Sequence, residues 1–141
     1  MSTMYLVSCV ARKRDESVAA KDLYVSDWFV KARAYVERVG ADCWFILSAR
    51  YGLVDPEAVI APYEQTLNAM GVAARRAWAA RVLDQLRPKL NGVDRVVMLA
   101  GLRYREFLID DIRARCPSVE VPLAGRRIGE QLGWFKRELQ R

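Results

Sequence analysis

Histidine does not occur in the 141 residues. Chemistry near neutral pH must therefore run without the usual base, and Ser-His, Cys-His and histidine-ligated metal mechanisms are excluded. Cysteine is scarce: Cys9, Cys43 and Cys116 are scattered, with no C-x-x-C spacing, which supports neither a disulfide framework nor a zinc site. No apolar run approaches the roughly 20 residues that span a bilayer, and the first residues lack the ordering of a secretory signal. The expected compartment is the cytoplasm, with no membrane partner. Neither G-x-G-x-x-G after the first apolar run nor G-x-x-x-x-G-K-[ST] is present, which argues against dinucleotide-dependent and P-loop chemistry. No cofactor is expected and no metal site is assigned, although bare carboxylates are able to hold Mg²⁺.

What is present is an ordinary globular composition, 52% apolar and 28% charged. The length suits one domain over residues 1–141, with a core that needs no staples. Lys plus Arg number 23 against 17 Asp plus Glu, a net charge of +6, with a pI of about 9.5. Such an excess favours an anionic partner, and a pI above about 9 is one mark of nucleic-acid binding. The alternative is a surface that is simply rich in arginine.

Apolar patterning divides the chain into alternating strands and helices. Residues 4–10 (MYLVSCV), 43–47 (CWFIL), 95–100 (RVVMLA) and 119–121 (VEV) read as buried strands. Helical spacing predicts helices over 22–38, 72–90 and 104–115, and a last one carrying Ile128, Leu132, Trp134, Phe135 and Leu139. In the first of these, Ser26 is the N-cap candidate and Gly40 the stop. Pro88 lies close to the end of the second. Four alternations argue for an α/β fold, a three-layer α/β/α sandwich on a four-stranded, mostly parallel sheet. Right-handed crossovers would gather all four strand ends at one edge.

Polar clusters follow these strand ends, where open parallel sheets bind ligands. The densest lies in residues 44–67, WFILSARYGLVDPEAVIAPYEQTL, where Ser48, Arg50, Tyr51 and Asp55 surround Gly52 and Tyr63 and Glu64 follow. It reads either as a binding loop on a rigid scaffold or as a tight, well-bonded turn. After the first strand, Cys9 is either a reactive thiol or a small core residue, and Lys13 either an anion ligand or a solvated loop lysine. Asp22 and Tyr24 are further pocket candidates, although Tyr24 packing against the following helix is at least as natural. Gly125, Arg126 and Arg127 open the last helix and suit a phosphate on backbone N–H groups, or form an exposed basic turn.

The motifs S-C-x-x-x-K (Ser8, Cys9, Lys13), A-K-D-L-Y-x-S (20–26), I-L-S-A-R-Y-G-L-V-D-P (46–56), P-Y-E-x-T-L (62–67) and P-L-A-G-x-x-I-G-x-Q-L-x-W (122–134) together cover nearly the whole chain. They resemble a bacterial and phage family of small uncharacterised domains. More remotely, that pattern is similar to the uracil-DNA glycosylase-like superfamily and to the catalytic domain of archaeosine synthase, whose first loop also carries a lysine. Both relatives act on bases in nucleic acid, and the resemblance implies a four-stranded parallel sheet between helices. The chain departs from typical uracil-DNA glycosylases: residues 9–13, CVARK, stand in place of a G-Q-D-P-Y loop, and Pro122-Leu123-Ala124-Gly125 in place of a histidine-bearing loop. No catalytic residue carries over from those motifs.

The expected partner is nucleic acid, DNA rather than RNA, and the expected chemistry is excision of a normal or modified base flipped from the stack, a reaction suited to defence against phages with hypermodified genomes. Arg50, Arg103, Arg126 and Arg127 are candidate phosphate contacts. Tyr24, Tyr51 and Tyr63 are candidate stacking residues, and Ser48 a candidate reader of a base edge. Glu64 or Asp55 would steady the sugar or orient water, and Lys13 is placed for a covalent imine that would add lyase activity. A base-modifying transferase or amide-forming enzyme, and a non-enzymatic nucleic-acid-binding module, are the alternatives.

Overall fold

The computed structural model describes residues 2–8 and 13–141, so the Cys9 assignment lies outside the described residues. In chain order the elements are β1 (Thr3–Ser8), β2 (Val18–Ala19), α1 (Ala20–Leu23), α2 (Asp27–Val39), β3 (Cys43–Ser48), β4 (Gly52–Val54), β5 (Val59–Ile60), α3 (Val72–Leu86), β6 (Arg95–Leu99), α4 (Leu102–Arg105), α5 (Ile109–Arg115), β7 (Ser118–Glu120) and α6 (Ile128–Leu139), with single 3₁₀ turns at Leu67–Ala69 and Arg87–Leu90. The main sheet has the order β4-β3-β1-β6-β7, and β2 pairs with β5 in a separate ribbon. β1 lies parallel to both β3 and β6, and β7 parallel to β6. A run such as Leu6 and Val7, with both faces apolar, suits a strand paired on both sides and covered by helices on both faces.

Helices α2 and α6 pack together on one face, where Trp28 and Tyr35 meet Trp134 and Phe135 edge-on. On the other face α3 lies against β3 and β4, its Trp78 Nε1 donating to the carbonyl of Ser48 over 2.8 Å. The Arg87–Asp111 pair joins the end of α3 to α5. The result is the expected α/β/α sandwich. Ser26 caps α2, its Oγ accepting from the Phe29 N–H at 3.2 Å, and Gly40 ends it in the left-handed conformation at φ 66°. Among the described residues no helix is long and apolar enough to cross a membrane.

Several local expectations are corrected. The sheet has five strands rather than four, because the chain after Ser48 turns back and adds β4 antiparallel to β3. Gly52 permits this at φ 76° by pairing with Ser48 across a three-residue turn. The helix read as 72–90 leaves α geometry at Leu86, since Pro88 has no N–H to donate to the preceding turn, and finishes as the 3₁₀ turn. The helix read as 104–115 is two short helices, α4 and α5, separated where Glu106 turns to Arg75. Arg75 itself is only 6% exposed: it pairs with Glu106 at 2.9 Å and donates to the Met70 carbonyl. Residues 22–24, at the start of the helix read as 22–38, instead end the short helix α1 at Leu23 and carry a lone β-bridge between Tyr24 and Lys13, and α2 begins at Asp27.

Two tests follow from this framework. A Cβ at Gly52 would sit 2.4 Å from Gln85 Oε1, and that oxygen accepts from the Leu53 N–H, so it cannot withdraw without losing a hydrogen bond. Gly52→Ala is expected to lower the urea unfolding free energy by at least about 1–2 kcal/mol, the cost of a left-handed residue with a side chain. Asp111 receives hydrogen bonds from Arg87 and Arg115, which together hold its carboxyl below the usual range despite some loss of solvation. A lowered folded-state pKa contributes stability above the unfolded value of about 3.9 and loses it as pH falls through the folded value. Asp111→Asn should therefore unfold at lower urea than the native chain at neutral pH, with the gap closing at acid pH.

Candidate functional site

The chain leaves β1, moves to β3 on one side, then crosses to β6 on the other. Strand order thus reverses between β1 and β6, and the crevice beyond their carboxyl ends is where such sheets bind ligands. Ser8 Oγ, at the end of β1, accepts from the Gly101 N–H after β6 over 3.2 Å.

Two segments cap this edge. The first holds Lys13, which bridges Tyr24, and Arg14, whose N–H donates to the Leu23 carbonyl and whose Nε donates to that of Asp22, both at 2.8 Å. The second is a strap from Ala61 to Asn68. It begins at the β2–β5 ribbon, crosses the end of β3 at Tyr63, and reaches α4, where the Leu67 N–H donates to Tyr104 Oη at 3.4 Å. Between them lies an open cavity of about 760 Å³ lined by Lys13, Arg14, Asp15, Pro62, Tyr63, Glu64, Thr66 and Asn68.

Beneath the cavity runs a buried chain of hydroxyls. The Tyr51 N–H donates to Ser48 Oγ at 3.0 Å, Ser48 Oγ donates to Tyr63 Oη at 2.9 Å, and Tyr63 Oη lies 2.7 Å from Tyr24 Oη. Ser48 is fully buried, so it can exist there only with such partners. The Lys13 ammonium lies 4.5 Å from the centre of the Tyr63 ring and 5.9 Å from that of Tyr24, a cation–π arrangement that holds a positive charge at the cavity wall. Glu64, next along the strap, is exposed on the same wall.

The structure thus brings Lys13, Tyr24, Ser48, Tyr51, Tyr63 and Glu64 into one neighbourhood. Of these, Tyr24 and Ser48 are buried beneath the wall rather than on it, with Tyr24 packed against Phe29. The remaining candidates are placed elsewhere. Asp55 forms a turn in which its carboxylate accepts from the Glu57 N–H at 2.8 Å and its carbonyl from that of Ala58. Asp22 is hydrogen-bonded to Arg33 of α2, which holds its carboxyl below the usual range. Arg50 is exposed at the tip of the β3–β4 turn.

Gly125, Arg126 and Arg127 share the carboxyl edge but follow β7, at the far border of the sheet, and are not among the cavity's lining residues. Gly125 supplies a left-handed turn at φ 76°, and Gln131 ties the Arg126 carbonyl to Trp28 of α2. Of the three polar clusters read after strand ends, the cavity is lined by residues of two, those of Lys13 and of Tyr63 and Glu64.

Arg14, Asp15, Thr66 and Asn68 line the cavity without having been singled out. Arg14 and Asp15 directly follow Lys13, and Thr66 lies within P-Y-E-x-T-L, so adjacency was the available signal. Among the described residues no group of three or more His, Cys, Asp or Glu side chains is arranged to hold a metal ion.

Removing the central hydroxyl tests the buried chain. Tyr63→Phe deletes the acceptor of Ser48 and the contact to Tyr24, and is expected to lower the unfolding free energy by about 1–3 kcal/mol in urea titration, with the denaturant slope unchanged.

No curated protein and no solved structure matches the chain. The remoter likeness to uracil-DNA glycosylases and archaeosine synthase therefore rests on sequence motifs alone. One family model matches residues 4–137, from β1 into α6. On that match the chain belongs to DUF6884, a family of unknown function.

Proposed function

We propose that the chain is a nucleic-acid base-processing enzyme, an N-glycosidase that excises a normal or modified base from DNA. The observation that carries this reading is the pairing of opposite charges in one open cavity: the Lys13 ammonium, held over the Tyr63 ring, and the exposed Glu64 carboxylate share its wall at the carboxyl edge of the sheet. The motif resemblance to enzymes acting on bases and the net charge of +6 point the same way.

A base flipped into such a cavity is cut from its sugar by water. The bond between C1′ and the base nitrogen breaks with its electron pair going to the base, and water adds to C1′. Glu64 is placed to orient that water, take up its proton and oppose the positive charge that grows on the sugar. Lys13 and Arg14 are placed to stabilise the negative charge on the departing base, which then acquires a proton. The products are a free base and an abasic site. A Lys13 amine in its neutral form could instead attack C1′, displace the base and leave an imine that leads to strand cleavage.

The test is incubation of the purified chain with modified and unmodified DNA, followed by alkali to reveal abasic sites. Glu64→Gln is expected to lower turnover at least about tenfold, or about 1.4 kcal/mol of barrier, with folding intact. Asp55→Asn, whose side-chain oxygen still accepts from the turn, is the comparison: a larger loss there moves the carboxylate role to Asp55. Lys13→Ala that leaves abasic sites but no strand breaks supports the imine route. Absence of product on every substrate removes the glycosidase, and a product that forms only with an added amine identifies a transferase instead.

A further inference from the structure

A connected row of cationic and aromatic side chains begins at the tip of the β3–β4 turn. The Arg50 guanidinium lies 5.4 Å from the centre of the Tyr51 ring. Arg81 of α3 reaches the same tip, its Nη2 donating to the Arg50 carbonyl over 2.9 Å. Tyr51 in turn meets Tyr63 edge-on at 5.7 Å between ring centres, and its hydroxyl donates to the Ala61 carbonyl at 3.3 Å. Arg81, Arg50, Tyr51 and Tyr63 therefore form an unbroken row from the outer edge of the sheet to the cavity wall.

Among the described residues, no carboxylate forms an ion pair with this row. Several other arginines are committed to carboxylates: Arg33 to Asp22 and Glu37, Arg75 to Glu106, Arg87 to Asp84 and Asp111, Arg95 to Glu120 and Arg115 to Asp111. Among the described residues, no ion pair includes Arg50 or Arg81. Both residues are exposed, and stacking Arg50 on a ring leaves the edge of its planar fork available for bidentate contact with an oxyanion. Cationic side chains along a track, interleaved with aromatic rings, are the combination by which proteins hold single-stranded nucleic acid: arginine takes the phosphates and the rings take base faces.

We infer that the Arg81–Arg50–Tyr51 row is the track for the phosphate backbone of a single nucleic-acid strand, leading one nucleotide of that strand into the cavity beside Tyr63 and Glu64. The direction of the track rests on the reading of the cavity as a base site. The strand crosses β4, the outermost strand of the sheet, and the two arginines contact its phosphates on the approach side of the cavity.

The experiment is fluorescence anisotropy of a labelled single-stranded oligodeoxynucleotide, titrated with the native chain and with Arg50→Ala/Arg81→Ala across a range of salt. Each lost phosphate contact should reduce the dependence of log affinity on log salt by about 0.7. The double variant is expected to bind at least about tenfold more weakly at moderate salt, with that slope shallower by about 1.4 for two contacts. Arg113→Ala/Lys136→Ala, which removes the same charge from exposed positions on α5 and α6, is the control and should bind as the native chain does. Circular dichroism of each variant checks folding, and Arg50→Ala alone leaves the Arg81 contact to the backbone in place.

Equal losses in the two double variants would show only general charge attraction and overturn the track, as would native affinity in Arg50→Ala/Arg81→Ala. Displacement of the oligonucleotide by poly-glutamate at equal charge concentration would also overturn it, in favour of an acidic protein partner. In the native chain, a wrong glycosidase assignment appears as absent product with the arginine-dependent affinity retained. A wrong track appears as product formed with that affinity unaffected.

Discussion

A serine hydroxyl buried at the end of a strand must find partners inside the protein, and Ser48 satisfies that need in a way that sets the surroundings of the cavity. Its Oγ accepts from the backbone of the β3–β4 turn and donates to the strap, while its carbonyl receives the indole N–H of α3. The β3–β4 turn, the strap and α3 are thereby tied to one point on the carboxyl edge of the sheet. In a dry environment each of these bonds is costly to lose. The strap consequently lies across the strand ends with Tyr63 at a defined depth, and Glu64, the next residue along, is exposed on the cavity wall.

The position of that point depends on β1. Pairing it in parallel with β3 and β6 places the carboxyl ends of Ser8, Ser48 and Ala100 at one edge, and parallel neighbours need crossover helices that shield both faces. The helices pack aromatic residues onto this core, with half-buried Trp28, Tyr35 and Trp134 and buried Phe135 between α2 and α6, and Trp78 of α3 against Tyr104. The edge left uncovered by helices is closed by the strap and by the segment that starts at Lys13. Loops on a rigid scaffold are where polar side chains can be presented without weakening the core.

Charge is sorted in the same way. Arginines that lie between helices are paired with carboxylates, as with Arg75 and Glu106 or Arg87 and Asp111, where an unpaired guanidinium would be expensive. Arg50 and Arg81, exposed beside the cavity, carry their charge outward.

By itself the sequence determined the alternation of strands and helices, the parallel core and the cap and stop of α2, because apolar periodicity, Ser26 and Gly40 act over a few residues. It also singled out the two polar segments that the structure brings together at the cavity, since polar residues crowded after an apolar run are visible in one dimension. Tertiary structure alone decided that Gly52 would fold a fifth strand back onto β3, that Asp55 and Asp22 would be engaged away from the cavity, that Arg75 would be buried, and that Gly125 would follow the far border of the sheet. These outcomes depend on which segments become neighbours across the sheet and between helices. A side chain's partner at such a distance is set by strand order and packing, which local pattern does not encode.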